Sequence, residues 1–125
     1  MQNILVCGQD RLAGEIISAA LRQVGHSVEC VVSETGAYKR LASIPTIDAL
    51  VLDFRQDAGA TVYDIARFAR GVIPSVAVVY VSEAAERGAF EMYGVARSEF
   101  VAKRFEAAEL AEAVNRLLRP RRASA

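Results

Sequence analysis

The sequence predicts an α/β fold, a (βα)5 doubly wound parallel sheet with strand order 2-1-3-4-5 in a single domain. Three observations carry this. Apolar runs alternate with amphipathic stretches five times along the 125 residues, with no repeat or low-complexity segment between them. The run Ile47-Asp48-Ala49-Leu50-Val51-Leu52 is almost continuously apolar, as in strands buried on both faces of a parallel sheet. Right-handed crossovers between successive parallel strands then open a crevice where the ends of the first and third strands diverge.

The strands read as Asn3 to Cys7, Ser27 to Val32, Ala49 to Asp53, Val76 to Val81 and Glu99 to Ala102. The second alternates, with Val28, Cys30 and Val32 on one face and Glu29, Val31 and Ser33 on the other, which suits a sheet edge. In the first helix Leu12, Ile16, Ala20 and Val24 recur at helical spacing as the inward row, and Gly25 ends it. The third runs from Thr61 to Arg70 with Val62, Ile65, Ala66 and Ala69 inward, closed by Gly71 and Pro74. The last runs from Glu106 to about Arg119 with Leu110, Val114, Leu117 and Leu118 inward and Ala107, Ala108, Ala111 and Glu112 outward, and Pro120 stops it. The domain is thus expected over residues 1–119, followed by a basic tail, 120–125.

Composition removes several function classes. With 53% apolar residues the chain can bury a core, and its 15 basic and 15 acidic residues cancel, leaving no global field for nucleic acid or an anionic membrane. No apolar stretch approaches the roughly 20 residues that span a bilayer. The opening Met1-Gln2-Asn3 lacks the charged start of a signal peptide, so a cytoplasmic location is expected. Cys7 and Cys30 lack metal-ligand spacing and read as reduced, buried thiols. The single histidine, His26, follows Gly25 in a turn and reads as a solvated loop residue on the rim away from the carboxyl ends. A Ser/His/Asp triad is therefore not expected.

Open α/β folds bind ligands beyond the carboxyl ends of their strands. Asp53 ends the third strand there; Gly8, Gln9 and Asp10 end the first; Ser82 and Lys103 arrive from the fourth and fifth. Each also has a purely structural role open to it: Asp10 as the N-cap of the first helix, Asp53 as the ion-pair partner of Lys103, Ser82 as a cap of the fourth helix and Phe100 as core. The glycines from Gly8 to Gly14 raise a small nucleotide-binding, Rossmann-like domain as an alternative. The G-x-G-x-x-G fingerprint is absent because Asp10 stands two residues after Gly8, where a negative side chain opposes a pyrophosphate.

The segments ILVCGQD, ALVLDF, VAVVYVSEA and FVAKRF together resemble the receiver domains of two-component response regulators, over essentially the whole chain. The resemblance implies a flavodoxin-like fold, with Asp53 as the phosphoacceptor, Ser82 and Phe100 as the switch hydroxyl and switch aromatic, and Lys103 as the family's lysine. The spacings of 29 residues from Asp53 to Ser82 and 21 from Ser82 to Lys103 are close to the family's.

The departures from that family are specific. Its acidic pair, which holds magnesium, falls on Gly8 and Gln9, leaving Asp10 one position late; the proline after the lysine is replaced by Arg104; the loop after Asp53 lacks the usual proline, with Asp57 near its place. Three carboxylates, one lysine and one Mg2+ sum to zero in a typical site. Here Asp53 and Lys103 already cancel. A carboxylate about 4 Å from a cation is worth roughly 4 kcal/mol at an effective dielectric of 20 before desolvation, so Mg2+ at Asp10 and Asp53 is expected to be weak or lost.

Phosphoryl transfer relies on that cation, although Arg55 and Arg104 could supply part of its charge. The resemblance and its departures together imply, as an expectation, a divergent, stand-alone receiver that works by protein–protein interaction rather than as an enzyme, with magnesium-dependent phosphorylation of Asp53 impaired or absent. A conventional phosphoacceptor in a histidine-kinase phosphorelay is the alternative. The resemblance places a protein partner or a homodimer on the face of the fourth helix, fifth strand and fifth helix, and makes a histidine kinase a candidate partner.

Overall fold

Alternating side-chain direction divides the core into two layers from the first strand onward. In β1 (Asn3–Gly8), Leu5 and Cys7 join one buried cluster while Ile4 and Val6 join the other. β3 (Ala49–Asp53) and β4 (Ala77–Ser82) do the same, sending Leu50, Leu52, Val78 and Tyr80 to the first cluster and Ala49, Val51, Val79 and Val81 to the second. Burial on both faces is what makes these strands read as continuous apolar runs.

The computed structural model describes residues 2–43, 46–53 and 61–118. β1, β2 (Ser27–Val31), β3, β4 and β5 (Ser98–Ala102) form one parallel sheet in the order β2-β1-β3-β4-β5. Fold class, strand order and the edge position of β2 are as the sequence predicts. The tail 120–125 and the loop holding Arg55 and Asp57 lie outside the described residues.

Helices α1 (Arg11–Gln23) and α5 (Ala107–Leu118) cover the face carrying Ile4 and Val6, through Ile17, Leu21, Leu110, Ala113 and Val114. Helices α2 (Glu34–Ser43) and α3 (Thr61–Val72) cover the other through Ala37, Leu41, Ile65, Ala66 and Ala69. A 3-10 turn, Ala84–Glu86, leads into the short α4 (Arg87–Tyr93), which touches the first cluster with the half-buried Ala89 and Phe90.

Four expectations need correction. The inward row of α1 is Gly14, Ile17, Ser18 and Leu21, whereas Leu12 is 68% and Ile16 60% exposed. The row Leu12, Ile16, Ala20, Val24 advances in steps of four, each overshooting a turn by about 40°, so it winds around the helix. Only Ala20 of that row is buried; Val24 is the C-cap. Ala111 of α5 is buried, not outward, because it flanks Leu110 on the side toward the sheet.

Cys30 is exposed, since β2 is a sheet edge; its Sγ lies 3.4 Å from Ser18 Oγ. His26 is half-buried rather than solvated, its Nε2 donating to Asn115 Oδ1 of α5 at 3.2 Å. Gly25 does end α1, with φ +96: its N–H donates to Arg22 O and that of His26 to Leu21 O, the paired bonds of a Schellman motif.

Candidate functional site

Asp53 is the last residue of β3 and, with Ser18, one of two buried polar side chains among the described residues. The register explains its placement. Cys7 pairs with Leu52 and Gly8 with Asp53, so β1 and β3 end together at the carboxyl edge of the sheet, while Ser82 pairs with Ala102 at the ends of β4 and β5. The backbone N–H of Lys103 donates to Ser82 O at 2.8 Å, carrying the β4–β5 pairing one step further. The lysine side chain is thereby aimed back over the sheet edge.

Lys103 Nζ stands 3.0 Å from Asp53 Oδ1. The aspartate side chain is 4% exposed and that of the lysine 35%, so the ion pair is sunk at one end and wetted at the other. Buried Oδ1 thus has Lys103 as a charge partner but no hydrogen-bond donor among the described residues. A carboxylate so nearly out of water requires a counter-charge, and Lys103 supplies it.

The other candidates sort differently. Asp10 Oδ1 accepts from the N–H groups of Leu12 and Ala13 at 3.0 and 3.2 Å, making it the N-cap of α1. Oδ1 is thereby taken up by the cap, and the carboxylate sets a negative charge at the N-terminus of α1. Gln9 is exposed and uncharged. Gly8 is buried and has no donor side chain. Among the described residues no three His, Cys, Asp or Glu side chains converge. The described residues at this sheet edge fit a magnesium site poorly: of the one or two carboxylates that Mg2+ takes from a protein, Asp53 is paired with Lys103 and Asp10 caps α1.

Ser82 does not cap the fourth helix, because the 3-10 turn intervenes and α4 starts at Arg87 without a side-chain cap. Phe100 is 9% exposed and packs inward, its ring 5.5 Å from that of Phe90, with the Arg87 guanidinium carbon 4.8 Å above it. It ends an aromatic row that continues through Phe90, Tyr80, Tyr63 and Tyr93 at centroid spacings of 5.3 to 5.8 Å. Burial pushes the Tyr80 hydroxyl above its ordinary value, and its oxygen accepts from Val95 N at 3.3 Å. Sequence reasoning missed this row. The signal was present in β4, where Val78, Tyr80 and Ser82 share one face.

Beside the Asp53–Lys103 pair lies a cavity of about 430 Å³, walled by Ile16, Ile17 and Phe105, with Glu83 and Arg104 at its charged rim. Arg104, in the place of the family's proline, holds φ 66, a left-handed conformation unusual for a side chain of this size. It is thus in position to contribute positive charge at the site.

No family model matches the sequence, and no curated protein matches it. The solved structures do. A response regulator receiver protein from Sinorhizobium medicae is 30% identical over 94% of this chain and 94% of its own, with a TM-score of 0.83. The chain belongs to the response regulator receiver family. The receiver fold recurs at lower identity in the Thermotoga maritima response regulator TrrA, solved in complex with Mg2+ and BeF (23% identical, 94% and 100% covered, TM-score 0.80). It recurs also in the receiver domain of a Pseudomonas aeruginosa sensor histidine kinase with magnesium in its active-site cleft (24% identical, 94% and 97% covered, TM-score 0.76). This receiver shares that fold. At Gly8 and Gln9 it presents no carboxylate.

Proposed function

We propose that this receiver signals in the cytoplasm by binding a protein partner, with Asp53 held by Lys103 in place of magnesium and magnesium-dependent phosphorylation of Asp53 impaired or absent. The observation that carries the reading is the 3.0 Å Lys103–Asp53 pair, with Asp10 capping α1 through Oδ1. With one carboxylate and one lysine the charge is balanced without metal, and a transferred phosphoryl group would find no divalent cation to take its charge.

Apolar surface supports the binding role. On α4, Met92 is 72% and Tyr93 55% exposed, and the helix has no buried residue, so the face of α4, β5 and α5 can accept a partner or a second copy at low cost. Leu12 and Ile16 form a second apolar strip on α1, next to the Asp53 cavity. Among the described residues no helix is long and apolar enough to cross a membrane.

Incubation with acetyl phosphate and millimolar Mg2+, read by intact mass, tests the chemistry. The unmodified mass should persist under conditions that load an ordinary receiver as a positive control. A phosphoryl adduct lost in Asp53→Asn would instead favour the conventional phosphoacceptor, and Arg104 would then be the residue to examine for the compensating charge.

A further inference from the structure

Gly8 of β1 pairs directly with Asp53 of β3, and the space beside its Cα is already taken. A Cβ built on Gly8 falls 2.7 Å from the Asp53 carbonyl oxygen and 3.4 Å from both Asp53 C and Asp53 Cβ. The first contact is with backbone, which cannot rotate aside as the end of a flexible side chain can. Both residues are buried, so no solvent-facing direction offers relief.

We infer that Gly8 is a positioning residue: its missing side chain lets β1 close on β3, and this closure fixes the Asp53 carboxylate against Lys103 while filling with backbone the space from which a metal-binding side chain would have to grow. The inference rests on the metal-free reading above and goes beyond it. The loss of the acidic pair is then more than the absence of two charges. Carboxylates restored at positions 8 and 9 would not rebuild a magnesium site, because position 8 admits a side chain only when the strands part and carry Asp53 away from Lys103. Position 9 differs, since Gln9 is exposed and a carboxylate there meets no such barrier.

Four proteins test this: the unaltered chain, Gly8→Ala, Gln9→Asp and Gly8→Asp/Gln9→Asp, each followed by thermal unfolding, calorimetric Mg2+ titration and the carbon-13 shift of the Asp53 carboxyl. Gly8→Ala should lower Tm by about 5–10 °C, the effect of a methyl group forced into a filled space. It should also move the Asp53 carboxyl shift and its pH profile, which simple loss of stability would not do. Gln9→Asp, which meets no steric barrier, should keep the parent's Tm, and the double variant should be destabilised without saturable Mg2+ binding.

Two results would overturn the inference. One is a Gly8→Ala protein with the parent's Tm and Asp53 signal; the other is a stable double variant that binds Mg2+. If the double variant does not fold, Gly8→Ala alone decides. Mg2+ binding by the unaltered chain would instead sink the metal-free reading, so the two failures are distinguishable.

Discussion

The Asp53–Lys103 pair joins a carboxylate that cannot reach water to an ammonium that can, and its two halves are therefore unequal. Removing Lys103 strands a buried charge; neutralising Asp53 leaves a lysine able to turn toward solvent. Lys103→Ala should cost roughly 1–3 kcal/mol, discounted from the fully buried case because the lysine is partly wet, and Asp53→Asn clearly less. Urea unfolding of both variants checks the order.

Cys7 makes a second prediction at this scale. Burial raises its thiol far above the ordinary range, and burial also raises Tyr80. The unfolded chain releases these protons near pH 8.5 and 10 while the folded chain keeps them, so the contribution of these two groups is level below about pH 8.5 and falls as pH rises further. Cys7→Ala should flatten the decline between about pH 8.5 and 10 in a series of urea midpoints.

Elements differ in how firmly they are held. α1 and α5 each bury a row against the sheet, whereas α4 has seven residues, no buried side chain and no side-chain N-cap. Such an element opens at low free energy. Amide hydrogen exchange should be faster throughout α4 than in the central turns of α1, α3 and α5; equal protection would contradict its loose attachment. If α4 is the partner-binding element, a partner should slow this exchange.

The strands were more legible than the helices for a related reason. Two-sided burial writes β1, β3 and β4 as unbroken apolar runs, but α1 carries both an inward row with two small residues, Gly14 and Ser18, and an outward strip, Leu12 and Ile16. Hydrophobicity alone chose the wrong strip. The exposed one earned attention only when the structure set it beside the Asp53 cavity.

At the scale of the whole molecule, five parallel strands in the order β2-β1-β3-β4-β5 bring residues from four separate segments to one edge. That convergence was legible, because Asp53, Ser82 and Lys103 each follow an apolar run and crossover handedness is nearly fixed. The aromatic row from Phe100 to Tyr93 and the closeness of Gly8 to Asp53 were not. Both depend on distances between strands and helices far apart in sequence, which spacing along the chain does not encode.

In the proposed reading, this receiver holds its aspartate by lysine and without metal. The most direct test is a two-dimensional proton–nitrogen NMR spectrum of the unaltered protein, titrated with Mg2+ and then with Mg2+ plus beryllofluoride. Unchanged resonances for Asp53, Ser82, Phe100 and Lys103 through both additions are predicted. Saturable shifts at Asp53 and Lys103 with Mg2+, spreading to Ser82 and Phe100 with beryllofluoride, would contradict the account and restore an ordinary phosphorylation switch.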